Sequence, residues 1–216
     1  MSRLTCFVVI VLIMSVNLGC RGTEVAPVSK EELAVSEVSV FESFDDESTP
    51  LGWSVEGGWG DPGEVSRVKV PGKAGHCAMA VDFKVGKNRK VVVGRKLTLG
   101  RNLSRCSMVL VDVNSKLTKK CRLGLAVLPA GGWEGYAESL SVEVKPGLNT
   151  DVTFRLNTPT FKTKANGWKH AQLLGDLAGA QRLMLLVYAD GAGCVEFDNI
   201  RTIRAGAPRP VKKGGE

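Results

Sequence analysis

The sequence predicts an all-β domain, a sandwich or a barrel, and three observations lead to this prediction. Apolar and polar residues alternate with the two-residue period of half-buried strands in the segments 77–85, 140–145 and 152–156. Denser apolar runs suit strands that are packed on both faces, and they lie at 108–113, 123–128 and 183–188. Turn residues such as Pro71-Gly72, Pro146-Gly147 and Asp190-Gly191 separate runs of strand length. The only helix-like segment is 169–180, which Gly175 and Gly179 limit to a turn or two.

The ends of the chain differ in composition from this central part. Arg3 precedes an apolar run at 4–16, which is shorter than the roughly 20 residues that span a bilayer. An export signal is therefore predicted rather than a permanent membrane helix. The predicted organisation is a signal peptide at 1–19, a tether at 20–36, one folded domain at 37–204 and a disordered basic tail at 205–216.

The end of the signal segment, Leu18-Gly19-Cys20, resembles a bacterial lipobox, although Asn17 stands where that pattern usually has Leu. The resemblance implies a lipid on Cys20 and attachment to the cell envelope, and plain secretion remains the alternative. Incorporation of labelled palmitate that survives Cys20→Ala would reject lipidation.

The formal net charge of +7 describes the ends of the chain more than a binding face. The tail from Arg204 carries four basic residues against one Glu, so it supplies three of these charges. No arginine-rich helix, zinc finger or RNA-binding motif accompanies the charge, and nucleic acid is therefore not a predicted partner. Anionic membrane, wall polymer and acidic polysaccharide remain open as targets.

Four cysteines follow the signal region, namely Cys77, Cys106, Cys121 and Cys194. They allow three disulfide connectivities, and none has the Cys-x-x-Cys spacing of a zinc or redox site. If 106–113 and 121–128 form a hairpin, Cys106 lies far from Cys121 and that pair is disfavoured. Four buried free thiols are an equal alternative.

Enzymatic activity is not predicted. Gly58 to Gly63 match the letters of a dinucleotide-binding turn, but Pro62 and the strand-like residues after it leave no room for the required helix. His76 and His170 lack the spacing of metal ligands, and no serine nucleophile motif is present. A glycosidase would need only two facing carboxylates, and the candidates are Asp45, Asp46, Glu134, Glu138 and Asp176.

Several short motifs occur in a familiar order. They are Val40-Phe41-Glu42-Ser43-Phe44 with Gly52-Trp53, then 132–139 and 152–156, and finally 176–183, 186–188 and Val195-Glu196-Phe197-Asp198-Asn199-Ile200. This series resembles the jelly-roll carbohydrate-binding modules of the galactose-binding-domain-like superfamily. The resemblance covers about residues 40 to 203, and it implies a jelly-roll β-sandwich of two antiparallel sheets.

The resemblance also implies site residues. Glu42 and Asp198 match the acidic residues of the first and last strands that help to hold a structural Ca²⁺ in such modules, with other oxygen ligands completing the shell. Aromatic faces stack on sugars in these modules, and the candidates are Trp59, Trp133, Tyr136 and Trp168, each of which could instead be a packing residue. Trp53 resembles a core residue.

The function that follows is noncatalytic binding of a polysaccharide or other glycan at the cell surface or outside the cell. One alternative is a structural or adhesion protein that keeps the jelly roll and binds a protein partner. Another is a glycan-active hydrolase. Burial of Trp59, Trp133 and Trp168 would favour the adhesion protein. The sugar identity and the oligomeric state are not predicted.

Overall fold

The computed structural model describes residues 37–86, 89–98, 102–130, 132–175 and 177–204, which belong to one compact unit. The predicted signal, the tether, Cys20, Asp176 and the basic tail lie outside the described residues. The strands are β1 (Glu37–Glu42), β2 (Trp53–Val55), β3 (Gly63–Lys69), β4 (Cys77–Lys84), β5 (Lys90–Lys96), β6 (Cys106–Ser115), β7 (Cys121–Pro129), β8 (Ala137–Ser139), β9 (Val142–Val144), β10 (Gly147–Arg155), β11 (Phe161–Thr163), β12 (Ala180–Tyr188) and β13 (Ala192–Arg204). A 3₁₀ turn spans Gly132–Gly135.

These strands form two antiparallel sheets. Sheet A has the order β10-β6-β13-β4-β3, and β1 pairs with the second half of β13. Sheet B has the order β11-β8-β7-β12-β5-β2, and β9 also pairs with β7. The prediction of an all-β sandwich of two antiparallel sheets is confirmed.

The hydrophobic core lies between the two sheets, and it follows from the two-residue period of the strands. In β6 the inward side chains are Val109, Val111 and Val113, and in β12 they are Leu183, Leu185 and Val187; all six are almost fully buried. Burial of alternate apolar residues against the opposite sheet is the main favourable contribution to folding of such a sandwich. Trp53 is 5% exposed, which confirms its predicted place in the core.

The strand predicted at 140–145 is shorter in the structure, where β9 covers only Val142–Val144. Leu140 and Ser141 separate β9 from β8, and the two strands pair with β7 in registers that differ by one residue. The hydroxyl of Ser139 accepts the backbone N–H of Leu125 at 3.0 Å, so a side chain supplies a bond that the interrupted ladder lacks. Leu140 is 55% exposed as a result.

One further expectation is wrong, and one condition considered for the cysteines is not met. The described residues of 169–180 contain no helix, and the 3₁₀ turn is the only helical element in the described ranges. That turn is too short to cross a membrane, and no described helix is long and apolar enough to do so. The segments 106–113 and 121–128 do not form a hairpin, because β6 belongs to sheet A and β7 to sheet B. The four cysteines of the domain are all free thiols, and all of them except Cys194 are buried.

Candidate functional site

The outer face of sheet B has a central apolar strip flanked by polar residues. Alternation along the strands turns one residue of each neighbouring strand to this face, and the row runs Lys162, Glu138, Ala126, Met184, Gly94. A second row of Gly124, Leu186 and Val92 lies beside it, followed by a third of Arg122, Tyr188 and Lys90. Met184, Leu186 and Val92 are buried although they point away from the core between the sheets. Other side chains must therefore cover this face.

Aromatic side chains provide that cover. Trp59, Tyr136 and Tyr188 pack on the apolar strip. The rings of Trp59 and Trp133 stack against each other, and the ring centre of Tyr136 lies 4.7 Å from Trp59 and 6.1 Å from Trp168. Tyr136 is 3% exposed, whereas Trp133 is 47% and Trp168 is 51% exposed. The layer thus anchors itself through Tyr136 and presents two tryptophan faces to solvent.

The loop between β2 and β3 holds Trp59 over the sheet. The backbone N–H of Glu56 donates to the carbonyl of Val92, and that of Asp61 donates to the carbonyl of Lys90 at 2.7 Å, so the loop lies directly on β5. Gly60 makes this approach possible, because a Cβ there would lie 2.9 Å from the Lys90 carbonyl oxygen. No helix follows this glycine-rich segment, as expected from the sequence.

The other tryptophans are held by two loops that contact each other. Trp133 lies in the 3₁₀ turn, and Trp168 follows β11, where its backbone N–H donates to the carbonyl of Thr163 at 2.8 Å. Lys164 of the second loop donates to both carboxylate oxygens of Glu134 in the first, at 2.7 and 2.9 Å. Three separate segments therefore supply the aromatic layer.

A buried carboxylate lies beneath this layer. Glu138 is 4% exposed and accepts hydrogen bonds from the hydroxyls of Tyr136, at 3.0 Å, and Tyr188. The ammonium of Lys162 lies 2.7 Å from its Oε1, and that of Lys90 lies 3.9 Å from its Oε2. Partners on four different segments satisfy the charge, as a buried carboxylate requires.

These contacts set the protonation states of the cluster. Burial alone would raise the pKa of Glu138, but the hydrogen bonds and charges of Lys162, Tyr188 and Lys90 outweigh it and lower that pKa. Burial, followed by the nearby Glu138 carboxylate, raises the pKa of both Tyr136 and Tyr188. Burial and the neighbouring Lys162 lower the pKa of Lys90, while Glu138 opposes them. The cluster therefore holds an ionised carboxylate and two neutral phenols.

Solved structures share this architecture. The family 11 carbohydrate-binding module of a cellulosomal cellulase of Clostridium thermocellum aligns with 78% of this chain and 97% of its own, at 19% identity and a TM-score of 0.51. A carbohydrate-binding module of family 28, specific for non-crystalline cellulose, aligns with 74% of this chain and 91% of its own, at 15% identity and a TM-score of 0.54. The chain has the jelly-roll sandwich fold of these modules.

The same fold occurs as part of larger enzymes. An exo-β-agarase matches 77% of this chain over 24% of its own length, at 13% identity and a TM-score of 0.53. No protein-family model matches the sequence, and no curated protein matches it. The likeness therefore rests on structure.

The structure brings together all four residues that the sequence offered as a sugar platform, namely Trp59, Trp133, Tyr136 and Trp168. The sequence also indicated Glu138, but only as one of several carboxylates. It did not indicate Lys90, Lys162 or Tyr188, which join the cluster from β5, β11 and β12. Their outward positions in alternating strands were the only available signal.

The two predicted calcium ligands have different surroundings. The side chain of Glu42 is 13% exposed, and its carboxylate pairs with the guanidinium of Arg95, which compensates its charge. Asp198 accepts the backbone N–H of Asn199 at 2.7 Å. Burial raises its pKa, and the charges of Asp45 and Asp112 add to the effect. In the described ranges no three His, Cys, Asp or Glu side chains are grouped to hold a metal ion.

Neither Glu134 nor Glu138, the candidate carboxylates at the aromatic layer, has the surroundings of a glycosidase general acid. Glu134 is largely exposed and pairs with Lys164. Glu138 has a lowered pKa, whereas the general acid of a glycosidase needs a raised one. Asp46 is exposed and bonds Ser48 and Thr49 next to it, which lower its pKa to about 2.

Proposed function

We propose that this protein binds a glycan, without catalysis, on the aromatic layer above sheet B. The observation that supports the proposal is the convergence of Trp133 and Trp168, both about half exposed, on a layer anchored by Tyr136 and Glu138. Faces of this kind match the apolar C–H faces of pyranose rings. Nearby carboxylate, ammonium and guanidinium groups can bond to sugar hydroxyls.

The structural neighbours support the same class of ligand. The family 11 module was solved with a β-1,3-1,4-mixed-linked tetrasaccharide, and the family 28 module is described as specific for non-crystalline cellulose. From these neighbours we infer only that the ligand of this chain is a carbohydrate. Burial of Trp59, Trp133 and Trp168 would favour the adhesion protein, and the half-exposed Trp133 and Trp168 do not meet this condition.

The proposed place of action is the cell surface or the outside of the cell. It rests on the export signal predicted at 1–19 and on the resemblance of the segment around Cys20 to a lipobox. A lipid on Cys20 would anchor the domain through the tether.

The proposed cofactor is a structural Ca²⁺ near Asp198. The support is electrostatic: a partly buried carboxylate with a raised pKa, close to Asp45 and Asp112, would be stabilised by a cation. Backbone carbonyls or water would have to complete the coordination shell of the ion.

Glycan binding is tested with affinity gels against a polysaccharide panel. We expect retardation by at least one polymer and a loss of about tenfold or more in affinity for Trp133→Ala and for Trp168→Ala, because each removes a stacking face. Leu148→Ala is the matched control, since Leu148 is an exposed apolar residue on sheet A. If no polysaccharide in the panel retards the protein, the proposal is contradicted and a protein partner is favoured.

A further inference from the structure

Positive charge is in excess beside the aromatic layer. Lys90, Arg122 and Lys162 lie on the outer face of sheet B, and Glu138 is the only carboxylate of the described residues paired with any of them. Lys162 is close to Glu138, at 2.7 Å, whereas Lys90 lies 3.9 Å away. Arg122 forms no ion pair in the described part of the chain. Glu143 of β9 lies opposite Arg122 on this face but pairs with Lys120. Two carboxylates therefore face four cations.

Tyr188 joins two of these cations to the aromatic layer. The Lys90 ammonium and the Arg122 guanidinium each lie 5.6 Å from the centre of its ring. Its hydroxyl donates to Glu138, which also bonds Tyr136 beneath the tryptophans. Lys90 and Arg122 are thus placed at one end of the surface on which a sugar chain would lie.

A cavity of about 390 Å³ opens at this end, and Arg122 and Tyr188 contribute to its lining. Its other charged residues are compensated in pairs: Arg89 with Asp190 at 3.1 Å, and Lys120 with Glu143 at 2.8 Å. Arg122 is the charge in this cavity that remains to be matched by a ligand.

The surroundings of Lys90 also favour a bound anion. The side chain of Lys90 is only 21% exposed, so water compensates its charge poorly. Burial and Lys162 lower the pKa of Lys90, which means that the present neighbours do not fully stabilise its charged form. An anion beside Lys90 and Arg122 would do so.

We propose that the glycan bound on this face is acidic, with carboxylate or sulfate groups that contact Arg122 and Lys90 beside Tyr188. The inference rests on the proposed glycan binding and adds the charge of the ligand. Guanidinium groups bind carboxylate and sulfate oxygens with paired hydrogen bonds, while the tryptophans stack on the sugar rings.

The test compares polymers matched in backbone but not in charge: polygalacturonate against its carboxyl-reduced form, and dextran sulfate against dextran. Affinity is measured for the full chain, for Arg122→Gln and for Lys90→Gln. Arg122 is exposed, so its replacement leaves the fold intact even if Lys90→Gln disturbs the Glu138 cluster. Lys84→Gln is the control, because it removes one exposed charge from β4 on the opposite sheet.

We expect the wild-type protein to bind at least one acidic polymer about tenfold or more tightly than its neutral partner. Arg122→Gln should weaken acidic binding about tenfold and neutral binding much less, and Lys84→Gln should change neither. Preference for polygalacturonate indicates a carboxylate ligand, and preference for dextran sulfate indicates a sulfate.

Equal affinity for charged and neutral partners, or equal losses in Arg122→Gln and Lys84→Gln, would overturn the inference. Either result would reject only the acidic character of the ligand. Glycan binding on this face would still be supported if Trp133→Ala weakens the measured affinity about tenfold or more. Failure of all four polymers and of the wider panel to bind would instead reject the proposed function.

Discussion

Glu138 is the residue on which the polar part of the candidate site depends. Its carboxylate joins the hydroxyls of Tyr136 and Tyr188 to the ammonium groups of Lys162 and Lys90, and almost none of it is exposed. A buried charge without these partners would be very costly, whereas a fully partnered one fixes the positions of its neighbours. Glu138 therefore positions Tyr136 under the tryptophans.

We expect Glu138→Gln to lower the free energy of unfolding by about 3 kcal/mol at pH 7, because it leaves the half-buried ammonium groups of Lys90 and Lys162 without a counter-charge. Urea denaturation followed by fluorescence measures this loss. Glu134→Gln is the control and should change stability by less than about 1 kcal/mol, since its ion pair with Lys164 is exposed.

The pH dependence of the same pair of proteins gives a second measurement. The folded pKa of Glu138 lies below its unfolded value, about 4.3 for a free Glu, so its stabilising contribution is complete above that value. The contribution is lost as the pH falls through the lower folded pKa. The stability difference between wild type and Glu138→Gln should therefore shrink below about pH 4. A difference that stays constant down to pH 2 would contradict this role.

The aromatic residues of the site could be found from the sequence because Trp beside Gly in a loop is a local pattern. The partners of Glu138 could not, because they are brought together only by strand order. Lys90 and Lys162 lie in β5 and β11, which are separated in sheet B by β8, β7 and β12. A single outward Lys in an alternating strand is ordinarily just a solvated residue.

The loop between β2 and β3 offers a matched pair of glycines for a test of how Trp59 is held. A Cβ at Gly60 would lie 2.9 Å from backbone atoms of Lys90 and Val92, whereas one at Gly58 would meet nothing within 4 Å. We expect Gly60→Ala to lift the loop from β5, displace Trp59 and cost about 1–3 kcal/mol of stability. Near-ultraviolet circular dichroism reports the tryptophan environment.

Gly58→Ala is the control and should keep both the spectrum and the stability of the wild type. Identical spectra for the two variants and the wild type would show that the close approach of Gly60 does not position Trp59. Loss of glycan affinity in Gly60→Ala alone would link this loop to the proposed function.

The strands themselves were largely predictable, and their irregularities were not. Alternation identified β4 and part of β10, and dense apolar runs identified parts of β6, β7 and β12. Sheet A contains two bulges at one level, where Asn199 of β13 and Asp151 of β10 have φ of 49° and 55°. Asp112 of β6 accepts from the Asp151 backbone N–H at 2.9 Å and from the Asn199 amide at 3.0 Å.

These bulges change which face the following residues point to, and they bend the strands beside β6. Arg201 also donates to Asp112, at 2.7 Å, so one carboxylate connects three strands. A sequence pattern with a strict period of two contains no information about such a shift. The position of Asp198 just before the bulge explains why a carboxylate occurs inside a strand.

For the molecule as a whole, the layered fold follows from composition and alternation, but the pairing of strands does not. β6 and β7 follow each other in the sequence and belong to opposite sheets, whereas β13 lies between β6 and β4. Such non-local pairing is decided by which apolar faces can be buried together in three dimensions. Because the chain passes from one sheet to the other in this way, the candidate site is assembled from segments that are distant in sequence.

The proposed calcium ion concerns the stability of the whole sandwich, since β13 pairs with β1, β4 and β6. The raised pKa of Asp198 means that its charged form is disfavoured in the fold, and a bound cation would reverse this.

We expect Ca²⁺ to raise the melting temperature of the wild type, with a stabilisation of about 2.7 kcal/mol at 100 times its Kd. Asp198→Asn should lose this response, because the amide keeps the bond to Asn199 but removes the charge. Glu64→Gln, which replaces an exposed carboxylate on β3, should keep it. A melting temperature that neither Ca²⁺ nor a chelator changes would contradict the calcium proposal and leave the Glu42–Arg95 ion pair as the contact between β1 and β5.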